Sequence, residues 1–153
     1  MEARVTGTRR TADGRILAEV GTPIGSCTAE WKGKASGVAP VEGDYFVEFT
    51  VDEPVRWGAN TTSADAHWPA VTQGSDGTFL LRGLLTRDGA ADGDGDGAAD
   101  GGGDGDGAVL DLGGTHVLLD LDHDGPRPPA EPAGIWVELR VPVHLLTLWP
   151  YDL

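Results

Sequence analysis

Residues 43–51 read Gly-Asp-Tyr-Phe-Val-Glu-Phe-Thr-Val, and ninety positions later residues 133–141 read Ala-Gly-Ile-Trp-Val-Glu-Leu-Arg-Val. Both stretches alternate apolar and polar residues, which is the period of a half-buried β-strand. Both also place a Val-Glu pair at their centre. This match predicts that the chain contains two copies of one small β unit.

Other segments of the first half also return in the second half at a similar spacing. The offset between a segment and its match rises from 76 for the first strand to 92 for the second strand, an increase of sixteen residues (92 minus 76). An Asp-Gly-Ala tract at 88–107 fills this gap, so we interpret it as a disordered insertion in a hairpin turn. The matched pairs are 5–8 with 81–84 (offset 76), 16–21 with 108–113 (offset 92) and 27–31 with 117–121 (offset 90).

The pattern therefore predicts an all-β protein of two tandem small barrels or meanders. Four or five short strands per unit suit an OB-like or SH3-like barrel. Frequent glycine and proline disfavour helices throughout. We expect a first unit at 1–57, a linker at 58–77 and a second unit at 78–153, related by duplication and packed as one globule.

The charge of the chain restricts its partners. The net charge is −14 and the only lysines are Lys32 and Lys34, whereas binding to a phosphate backbone needs clustered Lys and Arg. Seven acidic residues lie in the tract, so the rest of the chain carries about −7 (−14 plus 7). This balance disfavours nucleic acid and favours a basic protein partner or a divalent cation.

The N-terminal residues Met1–Arg4 contain no apolar signal-peptide core, and no apolar run approaches membrane-spanning length. We therefore expect a cytoplasmic protein with no membrane contact. The one cysteine, Cys27, falls at a core position of a predicted strand, so we interpret it as structural.

A calcium hypothesis rests on residues 120–131. The spacing of Asp120, Asp122, Asp124 and Glu131 fits an EF-hand loop in full. The flanking segments are predicted strands, however, and Pro126 begins a proline-rich stretch that opposes an exiting helix. The alternative is a polar strand end running into a loop. A weaker candidate, the alternating Asp residues from Asp92 in the tract, lacks the bidentate Glu at its twelfth position.

The matched strands place Phe46 and Trp136 at equivalent positions on the nominally polar face. Such a duplicated aromatic predicts either the contact between the two units, which we favour, or a surface for an outside partner. Trp68 in the linker is expected to plug a barrel end. Trp31, Trp57 and Trp149 are expected in the core or as barrel caps.

No nucleophile elbow, Walker loop or dinucleotide fingerprint is present, so the sequence predicts no catalytic residue. The expected function is a non-enzymatic acidic interaction module for a protein partner, and one concrete form of it is an immunity protein that masks a basic toxin. Two alternatives remain open. One is a calcium-binding or calcium-stabilised β domain, and the other is an OB-type binder of single-stranded nucleic acid, which the net charge disfavours.

Overall fold

The computed structural model describes residues 1–35, 37–74, 76–87 and 107–151. The all-β prediction is confirmed, because the described part consists of strands, loops and one 3₁₀ turn at Val143–Leu145. The strands are β1 (Glu2–Arg10), β2 (Ile16–Thr22), β3 (Gly25–Trp31), β4 (Gly43–Val51), β5 (Thr61–Ser63), β6 (Ala70–Gln73), β7 (Thr78–Arg87), β8 (Gly107–Asp111), β9 (His116–Asp120), β10 (Ile135–Pro142) and β11 (Leu146–Tyr151).

Five strands close into a barrel in the order β1-β2-β3-β11-β4 and back to β1. The first three form an antiparallel meander, and β4 pairs antiparallel with β1. β11 closes the barrel by pairing antiparallel with β4 and parallel with β3, where Thr147 lies opposite Glu30. The predicted small barrel is therefore present, but its fifth strand comes from the far end of the chain.

The second half pairs its strands in a related order. β7, β8 and β9 form an antiparallel meander, and β10 pairs antiparallel with β7. β5 lies on the other side of β10, and Val55 bridges Leu121 in parallel. Thus β5, which follows β4 in the chain, is paired with β10. Conversely β11, which follows β10, is paired with β4.

This exchange means that the structure does not confirm two self-contained tandem units. A unit ending at residue 57 would lack the strand that closes its barrel, because β11 supplies it. The boundaries 1–57, 58–77 and 78–153 remain a prediction. The expected linker also contributes two strands, β5 and β6, to the sheet.

β6 joins the two halves into one sheet. It pairs antiparallel with β7 and meets β3 in parallel at a single position, where Val71 lies opposite Gly25. Gly25 has a φ of 138°, and a Cβ atom there would lie 2.0 Å from the Val71 carbonyl oxygen. Glycine at this position therefore permits the close approach of the two backbones.

The core follows the alternation seen in the sequence. Alternate apolar residues of β4 and β10 point inward, whereas Phe46 and Trp136 share the outer face with Glu48 and Arg140. β11 contributes Leu146 and Leu148, which are fully buried. Cys27 is buried in the same core, which confirms its structural position. The buried residues of the two matched strands are Val47, Phe49, Val51, Val137, Leu139 and Val141.

We predict that Leu148→Ala lowers the free energy of unfolding by about 3 kcal/mol, because it removes a fully buried side chain and leaves a cavity in the closing strand. The matched control is Leu118→Ala, whose side chain is 73% exposed and whose loss should change stability by less than about 0.5 kcal/mol. Urea unfolding monitored by circular dichroism measures both. Equal effects would contradict the role given to β11.

Candidate functional site

A groove of about 590 Å³ opens at the end of the five-stranded barrel where β3 ends and β4 begins. One wall is the loop between β3 and β4, and the other is formed by the start of β4 and the end of β11. We call this feature the aromatic groove. Its rings are Trp31, Tyr45, Phe46 and Tyr151, together with Pro40 and Pro150.

The loop wall is tied to the barrel at three points. The Arg10 guanidinium donates to the Gly37 carbonyl at 2.8 Å, and the Tyr45 hydroxyl donates to the Val41 carbonyl at 2.8 Å. The Lys32 amide donates to the Leu148 carbonyl at 2.9 Å. These bonds connect the loop to β1, β4 and β11.

The rings line the groove as two pairs. Trp31 and Tyr45 meet edge to face with centroids 5.1 Å apart, and Phe46 and Tyr151 lie tilted at 6.1 Å. Both separations fall in the favourable range for aromatic pairs. Trp31 is buried beneath the loop, where a Cβ atom on Gly33 would lie 2.8 Å from its Nε1 atom. A larger residue at position 33 would therefore push the loop off the Trp31 ring.

Exposed apolar side chains concentrate at this end of the molecule. Among the described residues, five of the seven exposed large apolar side chains lie in or beside the aromatic groove. Large contiguous apolar patches are uncommon on the surface of monomeric proteins, so this concentration makes the aromatic groove a candidate contact surface. The five are Val38, Val41, Phe46, Trp149 and Tyr151.

The charges around the groove are mixed, with a surplus of carboxylates. Lys34 and Asp44 belong to its lining. Asp44 lies 3.2 Å from Arg4, and both side chains are largely exposed, so water screens this pair. Glu42 and Glu48 are exposed nearby, and Glu48 lies opposite Trp149 on β11.

The structure places the two equivalent aromatics, Phe46 and Trp136, against different neighbours. Phe46 packs on Tyr151 in the groove, whereas Trp136 stacks on His67 with centroids 6.0 Å apart and an interplanar angle of 8°. The match between these two residues in the sequence therefore does not extend to their contacts. Their role as the contact between units remains a prediction.

The predicted positions of three other tryptophans, Trp31, Trp149 and Trp68, agree only in part with the structure. Trp31 is buried, as expected, but Trp149 is 47% exposed and is not a core residue. Successive side chains of a strand point to opposite faces, so Trp149 lies on the face opposite to Leu146 and Leu148, which are inside the barrel. Trp68 is 62% exposed, so it is not a plug, and the Arg82 guanidinium lies 5.7 Å from its ring centroid.

Sequence reasoning did not identify Tyr151 or the loop valines Val38 and Val41. The available signal for Tyr151 was its spacing of two residues from Trp149, which places both rings on one face of the last predicted strand. The valines carried no signal, because loop residues have no period.

The calcium candidates lie at the end of β9 and in the loop that follows. Asp120, Asp124 and Glu131 are exposed, and the Asp122 carboxylate accepts the Asp124 amide at 3.1 Å. Within the described residues, no three His, Cys, Asp or Glu side chains are grouped closely enough to hold a metal ion. The structure thus does not gather the four carboxylates. The tract candidates from Asp92 onward lie at 88–106, outside the described residues.

No protein-family model, no curated protein and no solved structure matches this chain. In the described part of the chain, no helix is long and apolar enough to cross a membrane. The groove geometry and the sequence are therefore the basis for a functional assignment.

Cys27 should resist thiol reagents in the folded protein. Burial raises the pKa of its thiol to about 12, so almost none of it is the reactive thiolate at pH 8. We expect Ellman's reagent to release no thionitrobenzoate at pH 8 in buffer and one equivalent in 8 M urea. Rapid reaction of the native protein would contradict the buried position.

The calcium hypothesis predicts that millimolar calcium raises the thermal midpoint relative to excess EDTA, because a ligand that binds only the folded state stabilises it. The rise should vanish in Asp122→Asn/Glu131→Gln. Differential scanning calorimetry of both proteins measures it. An unchanged midpoint in the wild type would remove calcium as a ligand of this loop.

Proposed function

We propose that this protein is a non-enzymatic acidic interaction module that binds a protein partner through the aromatic groove. The observation that carries the proposal is the concentration of exposed rings, Phe46, Trp149 and Tyr151, at one end of the first barrel. Tyr and Trp are the residues that most often dominate the energy of protein interfaces. The polar residues around the rings resemble the rim of such an interface.

Charge supports a basic partner. Residues 1–57 hold seven Lys or Arg and nine Asp or Glu (net −2), whereas residues 58–153 hold four and sixteen (net −12). The acidic second half would attract a basic protein over a long range, and the groove would supply the contact. Masking of a basic toxin, as immunity proteins do, is one form that this function would take.

The strand pairing supports an OB-like reading of the first barrel. A three-strand meander whose third strand pairs in parallel with the fifth is a compact five-stranded barrel of OB type. The related pairing order of β7 to β10 supports the internal duplication. In this proposal, each copy gives its fifth strand to the other.

Site-specific photo-crosslinking tests the function. We expect p-benzoylphenylalanine at position 151, introduced in the source organism, to crosslink one basic protein. The same residue at position 118 should not, since Leu118 is exposed on β9, outside the groove lining.

Mass spectrometry then identifies the crosslinked protein and the segment that was captured. The proposal fails if position 151 captures nothing, captures nucleic acid, or captures the same proteins as position 118.

A further inference from the structure

We propose that the aromatic groove receives an extended polyproline II segment of the partner, with Arg or Lys beside its prolines. This inference rests on the proposed function and names the chemistry of the bound segment. It follows from the edge of β11, the rings and prolines of the groove, and the charges at its rim.

The edge of β11 opposes a β-strand as the occupant. β11 pairs with β3 only at Thr147 and Leu148, so its last three residues run past the end of β3. Pro150 lies opposite Val47, whose amide and carbonyl bond to Met1 instead of β11. The backbone of Pro150 therefore faces away from β4, towards the groove. Proline has no N–H, so an added strand would find a carbonyl there but no donor.

A polyproline II segment does not need backbone hydrogen bonds to a strand edge. It has no internal hydrogen bonds, and it docks in grooves lined by aromatic rings. The groove supplies two ring pairs, Trp31 with Tyr45 and Phe46 with Tyr151, and a proline on each wall. Because the ligand is already extended, it would lose little conformational entropy on binding.

The groove also offers a hydrogen-bond donor to a segment whose carbonyls are free. The Tyr151 hydroxyl oxygen accepts from the Met1 amine at 3.4 Å, which leaves its own proton available. The Tyr45 hydroxyl, by contrast, is used within the protein because it donates to Val41. Tyr151 is therefore the donor that we assign to a partner carbonyl.

The rim favours a basic residue in the bound segment. Four carboxylates, Glu2, Glu42, Asp44 and Glu48, lie on or beside the outer face of the groove strands, and two bases, Arg4 and Lys34, lie with them. A third base, Arg10, is bonded to the Gly37 carbonyl on the loop wall, so carboxylates remain in the majority. Asp44 engages Arg4 only in an exposed pair, so a partner's guanidinium can compete for it.

Fluorescence anisotropy with the full-length protein tests the inference. The probe is a labelled nonapeptide of three Arg-Pro-Pro repeats. Controls are three Arg-Gly-Ser repeats, which keep the charge without the polyproline II shape, and three Glu-Pro-Pro repeats, which keep the shape with the opposite charge. We expect the Arg-Pro-Pro peptide to bind at least about tenfold more tightly than either control, a difference of roughly 1.4 kcal/mol.

Phe46→Ala and Tyr151→Ala should each weaken this binding about tenfold. Leu118→Ala is the matched control and should leave the affinity unchanged. Circular dichroism checks that the variants remain folded. Tyr151→Phe removes only the hydroxyl, so it separates the contribution of the hydroxyl to the affinity from that of the ring.

Equal binding of the Arg-Gly-Ser peptide, or binding that the groove variants leave unchanged, would overturn the inference, because charge alone would then suffice. Tight binding of labelled oligo(dT) in place of the peptide would also overturn it in favour of nucleic acid. If position 151 crosslinks a basic partner at a segment without proline, the proposed function stands and this inference fails.

Discussion

The pairing of β11 between β3 and β4 is the constraint on which the rest of the structure depends. Without it, the first four strands form an open sheet with two free edges, and edges of this kind invite pairing with other chains. With it, Leu146 and Leu148 complete the barrel interior. The same strand carries Trp149, Pro150 and Tyr151 past the end of β3, so the strand that closes the barrel also forms part of the groove wall.

The pairing of β5 with β10 and of β11 with β4 also couples the two halves energetically. Each half depends on a strand that the other half positions, and β6 adds a direct bridge between β3 and β7. We expect the chain to unfold in one cooperative transition. Under the proposed function, a groove that is supported by both halves would need less ordering on binding, which would lower the entropic cost.

Much of the fold was predictable from the sequence, because alternation reports directly on which side chains are buried. The repeat of residues 43–51 at 133–141 located β4 and β10, and the offsets located the strands that pair with them. The exchange was not predictable, because the pattern of residues 146–151 indicates a strand but not its partner. Partner choice depends on contacts between distant residues that no local period records.

The candidate site was predictable only at Phe46, an apolar residue on a polar face. Tyr151 and the loop residues became part of the site through the exchange, so their role depends on tertiary structure. The calcium motif is the opposite case, in which the sequence predicts a site that the structure does not assemble. Its spacing is complete in sequence, yet the strand before it and the prolines after it replace the two helices that would bring Asp120 and Glu131 onto one ion.

The most direct test of the central claim is a nuclear Overhauser spectrum of the labelled protein. The account predicts interstrand contacts from Leu148 to Trp31 and to Phe49, because β11 lies between β3 and β4. It also predicts contacts from Thr62 to Glu138, because β5 lies on β10. Contacts of β11 with β10, and of β5 with β4, would show two self-contained units and would contradict the account.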